Sequence, residues 1–90
     1  MQANSLKNKI IVVTGGAGAI GQCFVRGIVE RGGIAIVADI NIDAAKLLAQ
    51  DCAGHAEAAD LDITSKDSVV TIIADLIQRH GRIDALVNNA

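Results

Sequence analysis

Chemistry in this sequence is concentrated in "TGGAGAIG", residues 14–21, where four of eight positions are glycine and the apolar run Ile10-Ile11-Val12-Val13 leads directly in. Two glycine spacings fit the stretch at once: G-x-G-x-x-G at Gly16, Gly18 and Gly21, and T-G-x-x-G-x-x-G at Thr14, Gly15, Gly18 and Gly21. A third, T-G-x-x-x-G-x-G, fails because residue 19 is Ala19. Glycines so placed serve a tight turn with positive φ, an approach of bare backbone to a pyrophosphate, or close packing of helix on strand. A helix starting here offers the unpaired N–H groups of Ala19, Ile20 and Gly21 to an anion, with the helix dipole in support. No Gly-Lys-Ser/Thr follows, which disfavours a triphosphate loop.

Asp39 is the second group with a chemical reading. It ends the apolar run "IAIVAD" (34–39), 18 residues past Gly21. A carboxylate there accepts both ribose hydroxyls of an adenosine and repels a 2′-phosphate. Ile40 and Asn41 bring no positive charge to offset that repulsion, so NAD rather than NADP is expected. The competing structural role for Asp39 is to cap the next helix. Cys23, Cys52, His55 and His80 share no metal-ligand spacing, and the two thiols are expected to be reduced and packed as small hydrophobes. No metal site is expected.

The elements that must hold these groups alternate. Residues 10–14 form a buried strand, and 19–31 a helix with Ile20, Phe24 and Ile28 at four-residue spacing and Val25 and Val29 beside them. Gly32-Gly33 ends that helix before a strand at 34–39. Asn41 or Asp43 caps a helix carrying Ala44, Leu47 and Leu48 to about Cys52. A weaker strand covers 55–60. Thr64 or Ser65 then caps a helix bearing Val69, Ile72, Ile73, Leu76 and Ile77, with His80 favouring the negative end of its dipole and Gly81 as a left-handed cap. A fourth strand follows at 83–89. Right-handed crossovers make this an α/β, Rossmann-like parallel sheet of order 3-2-1-4, incomplete as it stands. Residues 1–90 read as the N-terminal part of a single dinucleotide-binding domain.

Composition agrees. About 51% of residues are apolar, with one Phe and no Trp, Tyr or Pro, which suits aliphatic strands covered on both faces. A formal charge of −2 and the scarcity of aromatics argue against a nucleic-acid binder. No stretch is apolar enough to span a bilayer, and "MQANSLKNK" lacks a signal-peptide layout, so a cytoplasmic protein is expected.

Three landmarks in order, "TGGAGAIG" (14–21), "LDIT" (61–64) and "LVNNA" (86–90), resemble the short-chain dehydrogenase/reductase family over nearly the whole chain. The resemblance implies an oxidoreductase that transfers hydride between NAD and an alcohol or carbonyl substrate, and a homo-oligomeric parent protein. It implies that Asp62, with the backbone of Ile63, meets the adenine amino group, Asp60 being the competing carboxylate. It also implies that Asn88, Asn89 and Ala90 line the cofactor and tie the fourth strand into the sheet. Asp84 reads as a loop or strand-edge residue. Ala19 departs from the family's most populated branch, which carries glycine there; an αR conformation costs alanine nothing, and a positive φ about 1 kcal/mol.

In this family a Tyr-x-x-x-Lys pair, with Ser and a further Asn, handles the substrate proton. The chain has no tyrosine, and Lys7, Lys9, Lys46 and Lys66 lie near its start or on expected surface segments. No catalytic residue is therefore assigned within it. The expectation is the NAD-binding portion of an oxidoreductase, catalytically incomplete alone. The alternatives are a non-catalytic nucleotide-binding or interaction fragment, and an NAD-dependent epimerase or dehydratase of the family's longer branch.

Overall fold

The computed structural model describes residues 5–90. The elements are β1 (Ile10–Thr14), α1 (Ala19–Glu30), β2 (Ile34–Asp39), α2 (Ile42–Asp51), β3 (Ala56–Asp60), α3 (Lys66–His80) and β4 (Ala85–Asn88). The strands form one parallel sheet in the order β3-β2-β1-β4. The expected Rossmann-like architecture and strand order are those observed.

Alternation along β1 and β2 explains the layering. Ile11, Val13, Ala35 and Val37 pack with Val25 and Ile28 of α1 and Ala45 and Leu48 of α2. Ile10, Val12, Ile36 and Ala38 face the other way, onto Leu76 of α3. Period-two side chains on strands buried on both faces produce these two half-cores. Each fully buried Val, Ile or Leu contributes roughly 1.5–3 kcal/mol.

Two helix starts left open by the sequence are resolved. Asn41 Oδ1 accepts the Ala44 N–H at 3.2 Å, and Ser65 Oγ accepts the Ser68 N–H at 3.2 Å. Gly81 is left-handed, with φ of 81°, and its N–H closes on the Ile77 carbonyl at 2.8 Å. Asp39 is thus not the cap of α2.

The helix faces differ from the expectation. In α1 the buried line is Gly21, Val25 and Ile28, while Ile20 is 67% and Phe24 45% exposed. In α2, Ala45 and Leu48 are buried and Leu47 points out. In α3 only Leu76 is fully buried; Ile73 and Ile77 are 46% and 44% exposed. The two outer strands start later than expected, at Ala56 and Ala85.

Register aligns the strand ends that matter. Thr14 lies between Ala38 and Asn88, and Asp39 lies beside Asp60. The glycine loop, Asp39 and the segments after β3 and β4 therefore converge at the carboxyl edge of the sheet, where open α/β sheets bind ligands. Among the described residues, no helix is long and apolar enough to cross a membrane.

Candidate functional site

The loop between β1 and α1 is shaped by backbone contacts. Gly15 has φ of 62°, and a Cβ there would meet the Ala90 Cα at 3.1 Å. At Gly16 a Cβ would lie 2.9 Å from the Val13 carbonyl oxygen and 3.0 Å from Val37 Cγ1. At Gly21 it would collide with the Gly15 carbonyl and sit 2.7 Å from the Gly16 Cα. These glycines let α1 start directly against the loop. Gly18 is different. Its φ of −73° and ψ of 171° suit any residue, and a Cβ would have only ordinary contact, 3.4 Å from the Gly15 carbonyl oxygen. Of the three tasks expected of these glycines, only the approach of bare backbone to a ligand is left for Gly18.

What Gly18 does leave is an uncapped helix. It stands at the N-cap of α1 with no side-chain cap, and the first turn holds no acidic residue. The Gln22 N–H makes the first helical bond, to the Gly18 carbonyl at 2.9 Å. The N–H groups of Ala19, Ile20 and Gly21 precede it and are free of intrahelical acceptors, the usual condition of a helix start that receives an anion. Ala19 has the helical conformation of α1, so its departure from glycine carries no backbone strain.

Asp39 is held at the end of β2 by two main-chain donors. Ala17 N–H reaches Oδ2 at 3.0 Å and Asn41 N–H reaches Oδ1 at 2.9 Å. An ionised carboxylate has about four acceptor positions. One on each oxygen is used, and one on each remains for a vicinal diol.

Asp39 borders a cleft of about 220 Å³ lined by Gly15, Ala38, Asp39, Ile40, Leu61, Asp62, Ile63, Thr64 and Ala90. Five expected site residues, Gly15, Asp39, Asp62, Ile63 and Ala90, are thereby brought together. Gly16, Gly18, Ala19, Ile20, Gly21 and Asn89 are not on its wall; they form the adjoining loop, the start of α1 and the segment after β4. Ile40 and Ile63, 69% and 49% exposed, give the cleft two aliphatic surfaces fit to contact a flat ring. Ile40 entered the sequence reading only for its lack of charge. The available signal was its place, an isoleucine directly after the strand-ending carboxylate and before the helix cap Asn41.

Asp62 closes a local turn. Its Oδ1 accepts the Thr64 hydroxyl at 2.6 Å and the Thr64 N–H at 3.0 Å, bonds that hold its carboxyl below the usual carboxylate range. The Asp62 N–H is taken by Ser68 Oγ at 3.0 Å. Oδ2 takes part in neither Thr64 bond and can accept an exocyclic amino group. Asp60, exposed and outside the cleft lining, is the poorer candidate.

Thr14 connects the loop to β4. Buried to 5% exposure, its Oγ1 accepts from Asn89 N–H at 3.0 Å and Ala90 N–H at 3.2 Å. Its single proton is shared between the Val87 carbonyl at 3.3 Å and Asn88 Oδ1 at 3.4 Å. Asn89 Nδ2 adds a bond to the Gly15 carbonyl at 3.2 Å. Asparagines 88 and 89 thus tie the two strand ends together, and Ala90 is placed under Gly15.

At the opposite sheet edge, Asp84 is more than an edge residue. Its carboxylate accepts the Ile10 N–H at 2.8 Å and Arg82 Nε at 2.9 Å, while its N–H bonds the Ile10 carbonyl at 2.8 Å. The Ile10 bond, then Arg82, lowers its pKa. His80 likewise does more than complement a helix dipole, since Nε2 lies 2.7 Å from Glu57 Oε1. Cys52 is buried as expected, but Cys23 is exposed on α1, a correction to the packed-thiol reading.

Comparison with known proteins agrees with this geometry. The family model for short chain dehydrogenase matches residues 9–90. Sorbitol dehydrogenase of Cereibacter sphaeroides is 40% identical over 85 residues, covering 94% of this chain and 33% of that protein. Tropinone reductase-like 1 of Erythroxylum coca is 33% identical, covering 94% and 31%. The chain therefore spans about one third of the length of these relatives. The crystal structure of 3-ketoacyl-(acyl-carrier-protein) reductase from Brucella melitensis complexed with NADH superposes with a TM-score of 0.91 at 26% identity, covering 96% of this chain and 35% of that one. With the match extending from β1 to the end of β4, the chain belongs to the short chain dehydrogenase family of oxidoreductases.

Proposed function

We propose that residues 1–90 are the NAD-binding part of a short-chain oxidoreductase whose full-length form moves hydride between NAD and an alcohol or carbonyl substrate. The observation that carries the reading is Asp39, a carboxylate pinned by Ala17 and Asn41 at the rim of the cleft with one acceptor position left on each oxygen. In this reading the backbone of Gly15, Gly16 and Gly18 and the N–H groups of Ala19, Ile20 and Gly21 receive the pyrophosphate. Asp39 accepts the two adenosine ribose hydroxyls. The base lies between Ile40 and Ile63, with its amino group toward Asp62. Asn89 and Ala90 form the floor beneath Gly15. The nicotinamide supplies the hydride chemistry when bound, and the residues here bind and orient the dinucleotide.

NAD is favoured over NADP because the cleft lining has two carboxylates, Asp39 and Asp62, and no cationic side chain. A 2′-phosphate would meet Asp39 with both of its hydroxyl-accepting positions unsatisfied. Calorimetric titration of both dinucleotides into the chain and its Asp39→Ala variant tests this. Loss of the charged acceptor weakens NAD by about ten- to hundred-fold, with a smaller change for NADP, which shares only the loss of the Ala17 anchor. Equal losses for the two would contradict the ribose role. The sequence contains no tyrosine to exchange the substrate proton. The purified 90-residue chain is accordingly expected to bind NAD without oxidising alcohols, and measurable turnover would overturn that expectation.

A further inference from the structure

We infer that Gln22 is a positioning residue for the phosphate loop, acting through the Ala17 peptide from outside the cleft. Its Nε2 donates to the Ala17 carbonyl at 3.0 Å. Gln22 is absent from the cleft lining and borders instead the groove between α1 and α2, with Arg26, Leu48 and Asp51. It is half-buried, one residue past Gly21, on the turn of helix whose N–H groups face the loop.

The bond matters because of what else holds Ala17. Its N–H is bound by Asp39 Oδ2 at 3.0 Å, so β2 takes one polar group of the residue and α1 takes the other. The next N–H, of Gly18, closes on the Gly15 carbonyl at 3.1 Å, and that of Gly16 on the Ala38 carbonyl at 3.3 Å. The peptide joining Ala17 to Gly18 is therefore fixed at both ends, by Gln22 on its carbonyl and Gly15 on its N–H. That peptide leads directly into Ala19, the first of the N–H groups available to an anion. Gln22 is the only side chain among these contacts that comes from α1 itself, so it couples the orientation of the loop to that of the helix whose dipole serves the site. Preorganised donors cost nothing to align when the ligand arrives; a loop free to turn must be ordered first.

The inference rests on the dinucleotide reading and separates from it by ligand. Gln22 acts on the pyrophosphate loop and touches no residue facing the base, so its removal affects ligands that carry the pyrophosphate. Titration of the isotope-labelled chain with NAD, ADP-ribose and adenosine, followed by NMR, provides the test. Gln22→Met keeps the length of the side chain and removes the donor. It is expected to weaken NAD and ADP-ribose about five-fold, while adenosine, whose ribose acceptor Asp39 keeps its second bond from Asn41, is weakened less. Gln22→Leu, which also removes the donor and adds no charge near the pyrophosphate, is expected to show the same split, and it secures the test should the methionine variant fold poorly. Unchanged ADP-ribose affinity in both variants, or equal losses for ADP-ribose and adenosine, would overturn the positioning role. Failure of the unmodified chain to bind NAD or ADP-ribose would overturn the dinucleotide reading itself, and the role of Gln22 with it.

Discussion

Gly18 and Gly21 stand three residues apart in one motif, and the space around them separates their roles. A methyl group at position 21 has to displace the backbone of Gly15 and Gly16, whereas at position 18 it makes only ordinary contact with the Gly15 carbonyl oxygen. Gly21→Ala is expected to cost about 1–3 kcal/mol by overpacking, and Gly18→Ala to remain within about 1 kcal/mol of the parent chain. Urea unfolding of the two variants side by side checks the contrast; equal losses would mean that the loop relaxes around either methyl. Thr14 makes a second argument at this scale. Thr14→Val keeps the β-branched shape but removes the acceptor of the Asn89 and Ala90 N–H groups. Losing each of these half-exposed bonds costs about 0.5–1.5 kcal/mol, so the variant is expected to unfold at lower urea and to loosen the segment after β4. Amide exchange at Asn89 and Ala90 reads the second effect. The motif spacing made the glycines and Asp39 visible in the sequence, and the family resemblance of "LDIT" pointed to Asp62. The ties from Ala17 to Asp39, Gln22 to Ala17 and Asn89 to Gly15 were not, because each depends on where a turn aims a single N–H or side chain.

The end of α3 is anchored to the edge strand β3 by charge. Arg79 bonds Glu57 Oε2 at 2.9 Å and, one turn back, Asp75 at 2.9 Å, while His80 bonds the other Glu57 oxygen at 2.7 Å. Partial burial raises the pKa of Glu57, but the bonds from Arg79 and His80 outweigh it and the net direction is down. A carboxyl whose folded pKa lies below its unfolded value stabilises the fold above that unfolded value, near 4.5, and the contribution is lost as pH falls through the folded one. Thermal stability is therefore expected to fall below about pH 4.5, with a shallower fall in Glu57→Gln; a parallel decline in that variant would remove Glu57 from the explanation. None of this clamp was legible beforehand, since β3 and α3 are joined only by the turn of the chain in space. The order of the elements was legible, because a glycine loop separates β1 from α1 and Asn41 and Ser65 cap the two helices that follow, whereas the starts of β3 and β4 were not. The phase of α1 was not. Apolar residues at 20, 24, 25, 28 and 29 make a stripe wider than the contact. Gly21, by allowing the helix to touch the loop, selects Val25 and Ile28 as the buried edge and turns Ile20 and Phe24 outward.

At the scale of the molecule, the two faces of the sheet are unequally covered. α1 and α2 close one face over Val13, Val25 and Val37, all fully buried. The other has α3 alone, and beside it runs an apolar groove of about 230 Å³ lined by Val12, Leu61, Ile63, Ile72, Ile73, Leu76 and Leu86. Among the described residues β4 pairs only with β1, and its Leu86 is 61% exposed within that groove. An unpaired strand edge with exposed aliphatic side chains is a template for association. Leu61 and Ile63 line both this groove and the cleft beside Asp39, so the segment after β3 is the partition between them. Two consequences follow for the 90-residue chain in solution. Its sedimentation coefficient is expected to rise with concentration, and Leu86→Lys, which places a charge on the open edge, is expected to suppress that rise while leaving NAD binding intact, because Leu86 is not part of the cleft lining. A chain that stays monomeric at its highest soluble concentration would show that α3 and β4 shield the face adequately. Loss of NAD binding in Leu86→Lys would instead show that the partition at Leu61 and Ile63 transmits disorder from the groove into the cleft.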